Sequence, residues 1–171
     1  FIQHDRAFKT WQQDALTKWK SSPNLSRLQN ASDDRWSLGW KNHMKFNPHW
    51  STDIDFNRVS DDYYMRDFGS SLIDNSNNQL LRNLRLNYAN DHWNFLGNLQ
   101  SYQTLHQVDQ GAVKNQYARL PQLVFNGYYP YSLYGLTYSM QSEAVHFTKV
   151  RNPGERLLPT IGNRLSLRPA L

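Results

Sequence analysis

The sequence predicts an all-β fold, an antiparallel up-and-down sheet that forms a segment of a transmembrane β-barrel, with a short N-terminal helical insertion. Three observations predict it. Polar and apolar residues alternate along most of the chain, short and long connections alternate between these stretches, and aromatic residues lie beside the short connections. Membrane barrels combine these properties because each strand has one lipid-facing and one water-facing side. We expect an open curved sheet of about seven strands.

The composition agrees with a polar, strand-rich protein. The 171 residues carry a formal net charge of +5, with 14% aromatic and 19% charged residues. Disordered chains lack aromatic residues, and no apolar run approaches the roughly 20 residues of a membrane-spanning helix, so both classes are excluded. Lys and Arg are scattered and no nucleic-acid motif occurs, so we expect no nucleic-acid partner. The sequence contains no Cys, which excludes disulfides and thiolate metal sites within it.

The chain divides into a helical and a strand-rich part. Residues 5–20 carry the only clear helix signal, because their apolar residues recur at offsets of three and four and share one face. Pro23 then favours a helix stop, and residues 24–28 predict a short second turn. We therefore predict a helical insertion or loop between strands at 1–34 and barrel strands over 35–171. The apolar residues of the helix face are Phe8, Trp11, Ala15, Leu16 and Trp19.

Two interpretations of this helix are open at the level of sequence. It is either a surface helix that packs its apolar face on the next element, or an interfacial helix that lies on a membrane. The chain begins at Phe1 without the features of a signal peptide and ends at Leu171 within a strand-like pattern. We therefore expect it to be a piece of a longer protein.

The first predicted hairpin, formed by residues 35–45 and 50–57, has one apolar and one strongly polar face. If residues 47–49 form its loop, Phe46 faces Trp50 and polar partners fall into register on the other face. Such cross-strand pairs contribute only about 0.2–1 kcal/mol each, but they help to fix the register. The pairs are Lys41 with Asp55, His43 with Asp53 and Lys45 with Ser51.

The period of two returns in five later stretches, and most of the predicted strands are long enough to cross a bilayer, which takes about 9–11 residues. By length alone, the loop at 60–78 is expected on the extracellular side and the tight turns on the periplasmic side. The tight or short turns are at 47–49, 90–92 and 128–132. The longer loops are at 60–78, 104–116 and 151–162. The later strands are predicted near 83–88, 93–100, 118–127, 134–143 and 163–168.

Two sets of candidate functional residues follow from the alternation. Polar side chains of one face suit a wet barrel lumen, and they suit solvent equally well if the sheet is open. Rings on the apolar face would form a girdle at the lipid–water boundary, or they would pack in a soluble core. The lumen-facing candidates are Lys41, His43, Asp53, Asp55, Arg85 and Asn87. The lipid-facing or girdle candidates are Trp36, Trp40, Trp50, Trp93, Tyr134 and Tyr138.

The sequence shows no catalytic or metal-binding constellation. Its six His residues have no metal-ligand spacing, and no Gly-rich phosphate loop is present. Asp61-Asp62 could act as paired carboxylates, but a Ser-Asp-Asp run after a strand more often forms a turn or a helix cap. We therefore expect neither an enzyme nor a cofactor.

Several motifs in a fixed order resemble one known family. Residues 55–69 read Asp-Phe-Asn-Arg-Val-Ser-Asp-Asp-Tyr-Tyr-Met-Arg-Asp-Phe-Gly, and residues 117–123 read Tyr-Ala-Arg-Leu-Pro-Gln-Leu. Two further matches are Ala-Val-His-Phe at 144–147 and Arg-Leu-Ser-Leu-Arg-Pro at 164–169. Over roughly its last four-fifths, the chain resembles the LPS-assembly protein family LptD, also called the organic solvent tolerance or OstA family.

The resemblance implies an internal fragment of a large outer-membrane barrel of Gram-negative bacteria that inserts lipopolysaccharide into the outer leaflet without covalent chemistry. It implies three partners: lipopolysaccharide, an outer-membrane lipoprotein plug (LptE) and a periplasmic lipopolysaccharide bridge. Basic residues of the polar face, such as Lys41, Arg85 and Arg164, are then expected to meet phosphates and acidic sugars, or to pair with carboxylates across strands. The competing interpretation is a generic porin-like or soluble β-sheet binding domain without lipopolysaccharide transport.

Overall fold

The computed structural model describes residues 2–69, 78–111, 113–130, 135–152 and 155–171. Within them, eight strands form one antiparallel sheet in which each strand pairs with its neighbours in the chain. This meander confirms the predicted all-β, up-and-down architecture. The strands are β1 (Ile2–His4), β2 (Asp34–Lys45), β3 (Trp50–Val59), β4 (Gln79–Ala89), β5 (Trp93–Thr104), β6 (Ala118–Tyr129), β7 (Tyr138–Thr148) and β8 (Gly162–Ala170). The helices are α1 (Arg6–Lys18), α2 (Leu25–Gln29) and α3 (Tyr64–Phe68).

The first hairpin has the predicted register. Strands β2 and β3 pair so that Lys41 lies opposite Asp55 and His43 opposite Asp53. The loop closes as expected, because the Phe46 N–H donates to the carbonyl oxygen of Trp50 at 3.0 Å. Since successive side chains of a strand point to opposite faces, this register places the polar residues of both strands on one face. The prediction is confirmed.

The two tight turns share the sequence Asn-x-His-Trp, which begins at Asn47 and at Asn90. The Asn47 Oδ1 accepts hydrogen bonds from the N–H groups of His49 and Trp50, both at 2.9 Å, and Asn90 makes the same two bonds in the second turn. Such Asx turns reverse the chain without a Gly. The His49 Nδ1 then lies 2.8 Å from the carbonyl oxygen of Ala89, so the turn is tied to the neighbouring hairpin.

The sheet has one strand more than the seven predicted. Strand β1 pairs with the start of β2, and its three residues are too few to show a period of two. Strand β7 begins at Tyr138 instead of near residue 134. Gly135, just before it, has a φ of 70°, which interrupts the extended chain. Tyr134 itself lies outside the described residues.

The less regular pattern of β6 has a physical cause. Its register shifts against β5 between Asn98 and Gln100, and against β7 between Arg119 and Gln122. Pro121 lies within this stretch and has no N–H to donate to the ladder, so pairing is locally interrupted. The bulge breaks the strict alternation that sequence reasoning relies on.

Helix α1 packs its apolar face on the rest of the protein. Asp5 caps the helix by accepting a hydrogen bond from the Phe8 N–H at 3.0 Å. Phe8 is 3% exposed and Leu28 of α2 is 1% exposed, and the Gln12 Nε2 donates to the Leu28 carbonyl oxygen at 2.6 Å. The surface-helix interpretation is therefore confirmed. No helix among the described residues is long and apolar enough to cross a membrane.

The main core lies at the end of the sheet that carries the long connections. There α1, α2, α3 and the connections 60–63 and 105–111 form an assembly that we call the cap. Helix α3 falls within the segment that the pattern predicts as a loop. The Ser37 hydroxyl on the polar face of β2 donates to the Tyr64 hydroxyl oxygen at 3.1 Å, so the cap lies over that face. The buried apolar residues of the cap and the adjoining strand end are Phe8, Ala15, Leu28, Val59, Tyr63, Tyr64, Leu105 and Val108.

Candidate functional site

The polar face of β2–β4 brings the six lumen candidates together. The Lys41 Nζ lies 3.7 Å from Asp55. The His43 Nδ1 lies 2.7 Å from Asp53, and Asn87 donates to the other oxygen of Asp53 at 3.0 Å. In the sheet register, Asp53 also lies opposite the sixth candidate, Arg85. The candidates therefore form one ladder of charged and amide groups, in which carboxylates and basic groups compensate one another.

The polar face continues across β5–β8 as a hydrogen-bonded row. Asn98 donates to the Gln122 Oε1 at 3.1 Å, and Gln122 donates to one oxygen of Glu143 at 2.6 Å. Arg164 donates to the other Glu143 oxygen, also at 2.6 Å. The sequence alone leaves open whether the basic residues of this face pair with carboxylates across strands. Arg164 pairs in this way with Glu143. We call the ladder and this row together the polar track.

The opposite face is apolar and is not covered by other parts of the described chain. Trp40 is 56% exposed and Leu165 is 71% exposed. Trp40, Ile54 and Phe56 therefore do not converge with the bulky groups of the other hairpins into a dry interior. A soluble protein seldom leaves a contiguous apolar face of this kind in water.

Aromatic rings cluster on the apolar face beside the tight turns, and we call this cluster the aromatic belt. Trp50 packs on Tyr88 with ring centroids 4.8 Å apart. In the next hairpins, Trp93 packs on Phe125 at 4.8 Å and on Tyr129 at 5.2 Å. Each pair joins neighbouring strands, so the rings stand at similar heights along the sheet.

The other girdle candidates occupy different places. Tyr138 lies opposite Tyr129 at the belt end of β7 and is 41% exposed. Trp40 lies on the apolar face, farther from the turns. Trp36 lies at the cap end, where the Arg58 guanidinium covers its ring at 5.6 Å. The assignment of all these rings to a lipid–water boundary stays a prediction.

Gly127 keeps the belt packed, since it lies opposite Trp93. A Cβ added at Gly127 would lie 2.8 Å from the Trp93 Cε3, so the ring would have to move away from Phe125. We expect Gly127→Ala to destabilise the folded protein by about 1–3 kcal/mol through this overpacking, measured as a lower urea midpoint of the full-length protein. Gly39→Ala is the matched control, because its Cβ meets no atom nearer than 3.6 Å. Equal losses in both variants would contradict the packing account.

A buried arginine organises the cap. Arg35 is 0% exposed, and its Nε and Nη2 donate to the two oxygens of Asp61, both at 3.0 Å. Its Nη1 donates to Asp5 at 3.0 Å and to Asp67 at 2.7 Å. The guanidinium carbon also lies 4.3 Å from the ring centroid of Phe8. One cation thus joins α1, α3, β2 and the connection at 60–63.

The neighbouring groups of the cap are equally well partnered. Arg27 forms two hydrogen bonds of 2.7 Å with the carboxylate of Asp62. The Tyr63 hydroxyl oxygen accepts a hydrogen bond from the Val108 N–H at 2.9 Å, and burial raises the pKa of Tyr63 to about 12. Asp61 and Asp62 are both held by arginine and are not poised as an acid–base pair. The turn interpretation is therefore correct, but it missed their ion pairs.

One group of the described residues has the spacing of metal ligands. Donor atoms of His4, Asp33 and Asp34 lie within 4.8 Å of one another. The Lys9 Nζ lies 3.5 Å from the same Asp33 carboxylate, so a cation already neutralises part of the group. His4 and Asp34 are exposed, and the arrangement is that of a surface ion-pair cluster.

Comparisons with known proteins identify the family. Residues 33–171 match the family described as "LptD: LPS transport system D". The chain is 36% identical over 129 residues to the LPS-assembly protein LptD of Legionella pneumophila (strain Lens), with 75% of this chain and 15% of the relative covered. The corresponding values are 32% over 159 residues for Coxiella burnetii, with 86% and 18% covered, and 34% over 139 residues for Nitrosococcus oceani, with 81% and 18% covered.

The chain thus spans less than a fifth of the length of these relatives. The matched residues include all of the motifs that carry the resemblance, which is thereby confirmed. This chain belongs to the LptD family of lipopolysaccharide transport proteins.

Proposed function

We propose that the chain is part of the outer-membrane barrel that inserts lipopolysaccharide into the outer leaflet, a transport role without covalent chemistry. The observation that carries the proposal is a continuous strand meander with a polar track on one face and an uncovered apolar surface on the other. A membrane barrel needs these two faces, one for lipid and one for its wet lumen. The relatives named LPS-assembly protein support the same role.

The polar track suits the passage of a charged saccharide. Lys41, His43 and Arg164 are each paired with a carboxylate at 2.6–3.7 Å, so these three side chains do not present isolated charges to an anionic head. Paired charges and amides still offer many donors and acceptors to sugar hydroxyls. Transport through a pore requires binding that is favourable at many sites and strong at none. The acyl chains would remain in the apolar phase beside the barrel.

The two ends of the sheet receive different roles in this proposal. The aromatic belt lies at the lipid–water boundary of the periplasmic side, where amphipathic rings are enriched. The cap lies on the extracellular side and covers part of the polar face. Within residues 1–34, the helical segment that follows β1 is an insertion between strands, and β2–β8 over residues 35–171 are barrel strands. The whole protein would act with the lipoprotein plug and the periplasmic lipopolysaccharide bridge that the family resemblance implies.

The proposal is tested by photo-crosslinking in cells that depend on the full-length protein. A photoreactive residue at Asn87, on the polar track, is expected to capture lipopolysaccharide only while it is being delivered to the cell surface. The same residue at Leu86, on the apolar face, serves as the matched control and is expected to capture membrane lipid whether or not delivery proceeds. Absence of a lipopolysaccharide adduct at Asn87 during active delivery would contradict the proposal, and so would a full-length protein that is monodisperse without detergent.

A further inference from the structure

A cleft of about 420 Å³ opens on the apolar side of the sheet at the cap end. Its walls come from the cap-side ends of β3, β4 and β5. The segments 115–120 and 148–150 complete them. It lies outside the polar track, because its strand residues Trp36, Arg58 and Arg82 point away from that face. The proposed transport path therefore does not use it.

Four cations border this cleft, and one of them, Arg27 of α2, is paired with Asp62 at 2.7 Å. Arg58 and Arg82 lie on the same face of adjacent strands, because Arg82 pairs with Phe56, two residues before Arg58. Their guanidinium groups lie over aromatic rings, Arg58 above Trp36 and Arg82 above Phe56, both at 5.6 Å. Lys149, which follows the last residue of β7, is the remaining cation. Stacking on Trp36 and Phe56 thus holds the guanidinium groups of Arg58 and Arg82 in place.

Arg58 and Arg82 are among the arginines of the described residues that lack a carboxylate partner. Arg27, Arg35 and Arg164 have carboxylate partners at 2.6–3.0 Å. Arg58 and Arg82 have none within 4.0 Å in the described part of the chain. Arg82 donates to neutral oxygens, of the Gln103 side chain at 2.7 Å and the Asn57 carbonyl at 3.3 Å. Adjacent like charges without a counter-charge favour the binding of an anion.

The position of the cleft along the strands limits which anion fits. From Trp50 in the aromatic belt to Arg58, the chain extends about 27 Å at about 3.4 Å per residue. At a strand tilt of about 40°, that is about 20 Å along the membrane normal, comparable with the roughly 25 Å apolar band of a barrel. Leu38 lies directly opposite Arg58, and Trp40 lies two residues nearer to the belt; they are 53% and 56% exposed. The cations therefore lie where an apolar surface gives way to polar loops.

We propose that this cleft binds the phosphorylated saccharide head of a lipopolysaccharide molecule resident in the outer leaflet, with its acyl chains along the apolar face. The planar guanidinium groups of Arg58 and Arg82 match phosphate geometry. The hydroxyl of Ser101 borders the same cleft and supplies a partner for a sugar hydroxyl. The inference rests on the proposed function, because it requires the apolar face in lipid and the cap outside the cell.

The test uses the full-length protein in nanodiscs of phosphatidylcholine, with purified diphosphorylated lipid A added stepwise and bound lipid counted by native mass spectrometry. We expect Arg58→Gln with Arg82→Gln to weaken lipid A binding at least tenfold. The control, Arg6→Gln with Lys20→Gln, removes two positive charges from the exposed surface of the cap and should bind as the unmodified protein does. If the double variant fails to fold, Arg58→Gln alone is expected to weaken binding several-fold, since the Arg58 side chain makes no hydrogen bond within the described residues.

Unchanged binding in the folded double or single variant would overturn the inference. Inorganic phosphate or phosphatidylglycerol that competes as well as lipid A would also overturn it, by showing a site for free anions or for any acidic lipid. Failure of the proposed function has a different signature, because the Asn87 crosslink to lipopolysaccharide would then be absent. Weakened lipid A binding with a normal crosslink at Asn87 is the expected combination.

Discussion

Replacing Arg35 by alanine is expected to unfold the cap while the sheet stays paired. The substitution leaves the carboxylates of Asp5, Asp61 and Asp67 without their shared cation, and Asp61 is deeply buried, with a side chain 1% exposed. Removing one partner from a buried ion pair typically destabilises by about 3–5 kcal/mol. Because Arg35 joins α1, α3 and the 60–63 connection, we expect all parts of the cap to lose stability together.

Hydrogen exchange of the full-length protein measures this effect region by region. We expect faster exchange in α1, α2 and α3 of the Arg35→Ala variant and unchanged protection in the middle of β4 and β5. Lys9→Ala is the matched control, because Lys9 of α1 is 60% exposed and pairs with Asp33 at the surface. Exposed pairs contribute only about 0–1 kcal/mol. Equal exchange in both variants would contradict the central role of Arg35.

The same cluster makes the cap sensitive to acid. Burial favours the neutral form of Asp5, but hydrogen bonds from the Phe8 N–H and the Arg35 guanidinium outweigh it and lower the pKa of this carboxyl below 3.8. A pKa that is lower in the folded than in the unfolded state adds stability that is complete above the unfolded pKa. That stability is lost as the pH falls through the folded pKa. In the Arg35→Ala variant, the contribution of Asp5 to the pH dependence of cap stability should be smaller, because the guanidinium that lowers its pKa is absent.

Leu86→Arg is expected to destabilise the membrane-inserted protein by about 2–4 kcal/mol if it lies near the bilayer midplane. Leu86 is on the apolar face of β4, 36% exposed, and it pairs with Thr52 and Gly97 on the neighbouring strands. A guanidinium there would lie in hydrocarbon without a carboxylate partner. The change is measured by urea titration of the full-length protein folded into lipid vesicles.

The matched control is the adjacent residue of the same strand. Asn87 already donates to Asp53 at 3.0 Å on the polar face, and arginine at this position keeps an anionic partner. We expect Asn87→Arg to change the free energy of unfolding by less than about 1 kcal/mol. If both substitutions are tolerated equally, or if the polar-face substitution is the costlier one, the apolar face does not contact lipid.

Much of the sheet can be predicted from sequence because its two faces differ so strongly. The alternation around Lys41 and His43, with a turn at Asn47, fixes a register that a slip of one residue would reverse. The aromatic belt follows for the same reason, since Trp50 and Trp93 each come directly after a tight turn. These features depend on neighbouring residues or on adjacent strands, where local pattern is informative.

The cap could not be predicted in the same way because its contacts join residues far apart in the chain. Arg35 continues the polar face of β2, and nothing near it in sequence reveals that Asp5, Asp61 and Asp67 converge on its guanidinium. Helix α3 has only five residues, too few to show helical periodicity. In the sequence, the cluster is indicated only by Arg35 beside Trp36 and by the later pair Asp61-Asp62.

The proposed function requires that the apolar face of the sheet contacts lipid and the polar face contacts water. Strand β4 offers the most direct test of this requirement. Nitroxide labels are placed one at a time at 84, 85, 86 and 87 of the full-length protein in bilayers, and their collisions with oxygen and with a water-soluble nickel complex are measured. We expect positions 84 and 86 to be accessible to oxygen and positions 85 and 87 to be accessible to nickel. Labels at 84 and 86 that are shielded from both reagents, as in a dry protein interior, would contradict this requirement.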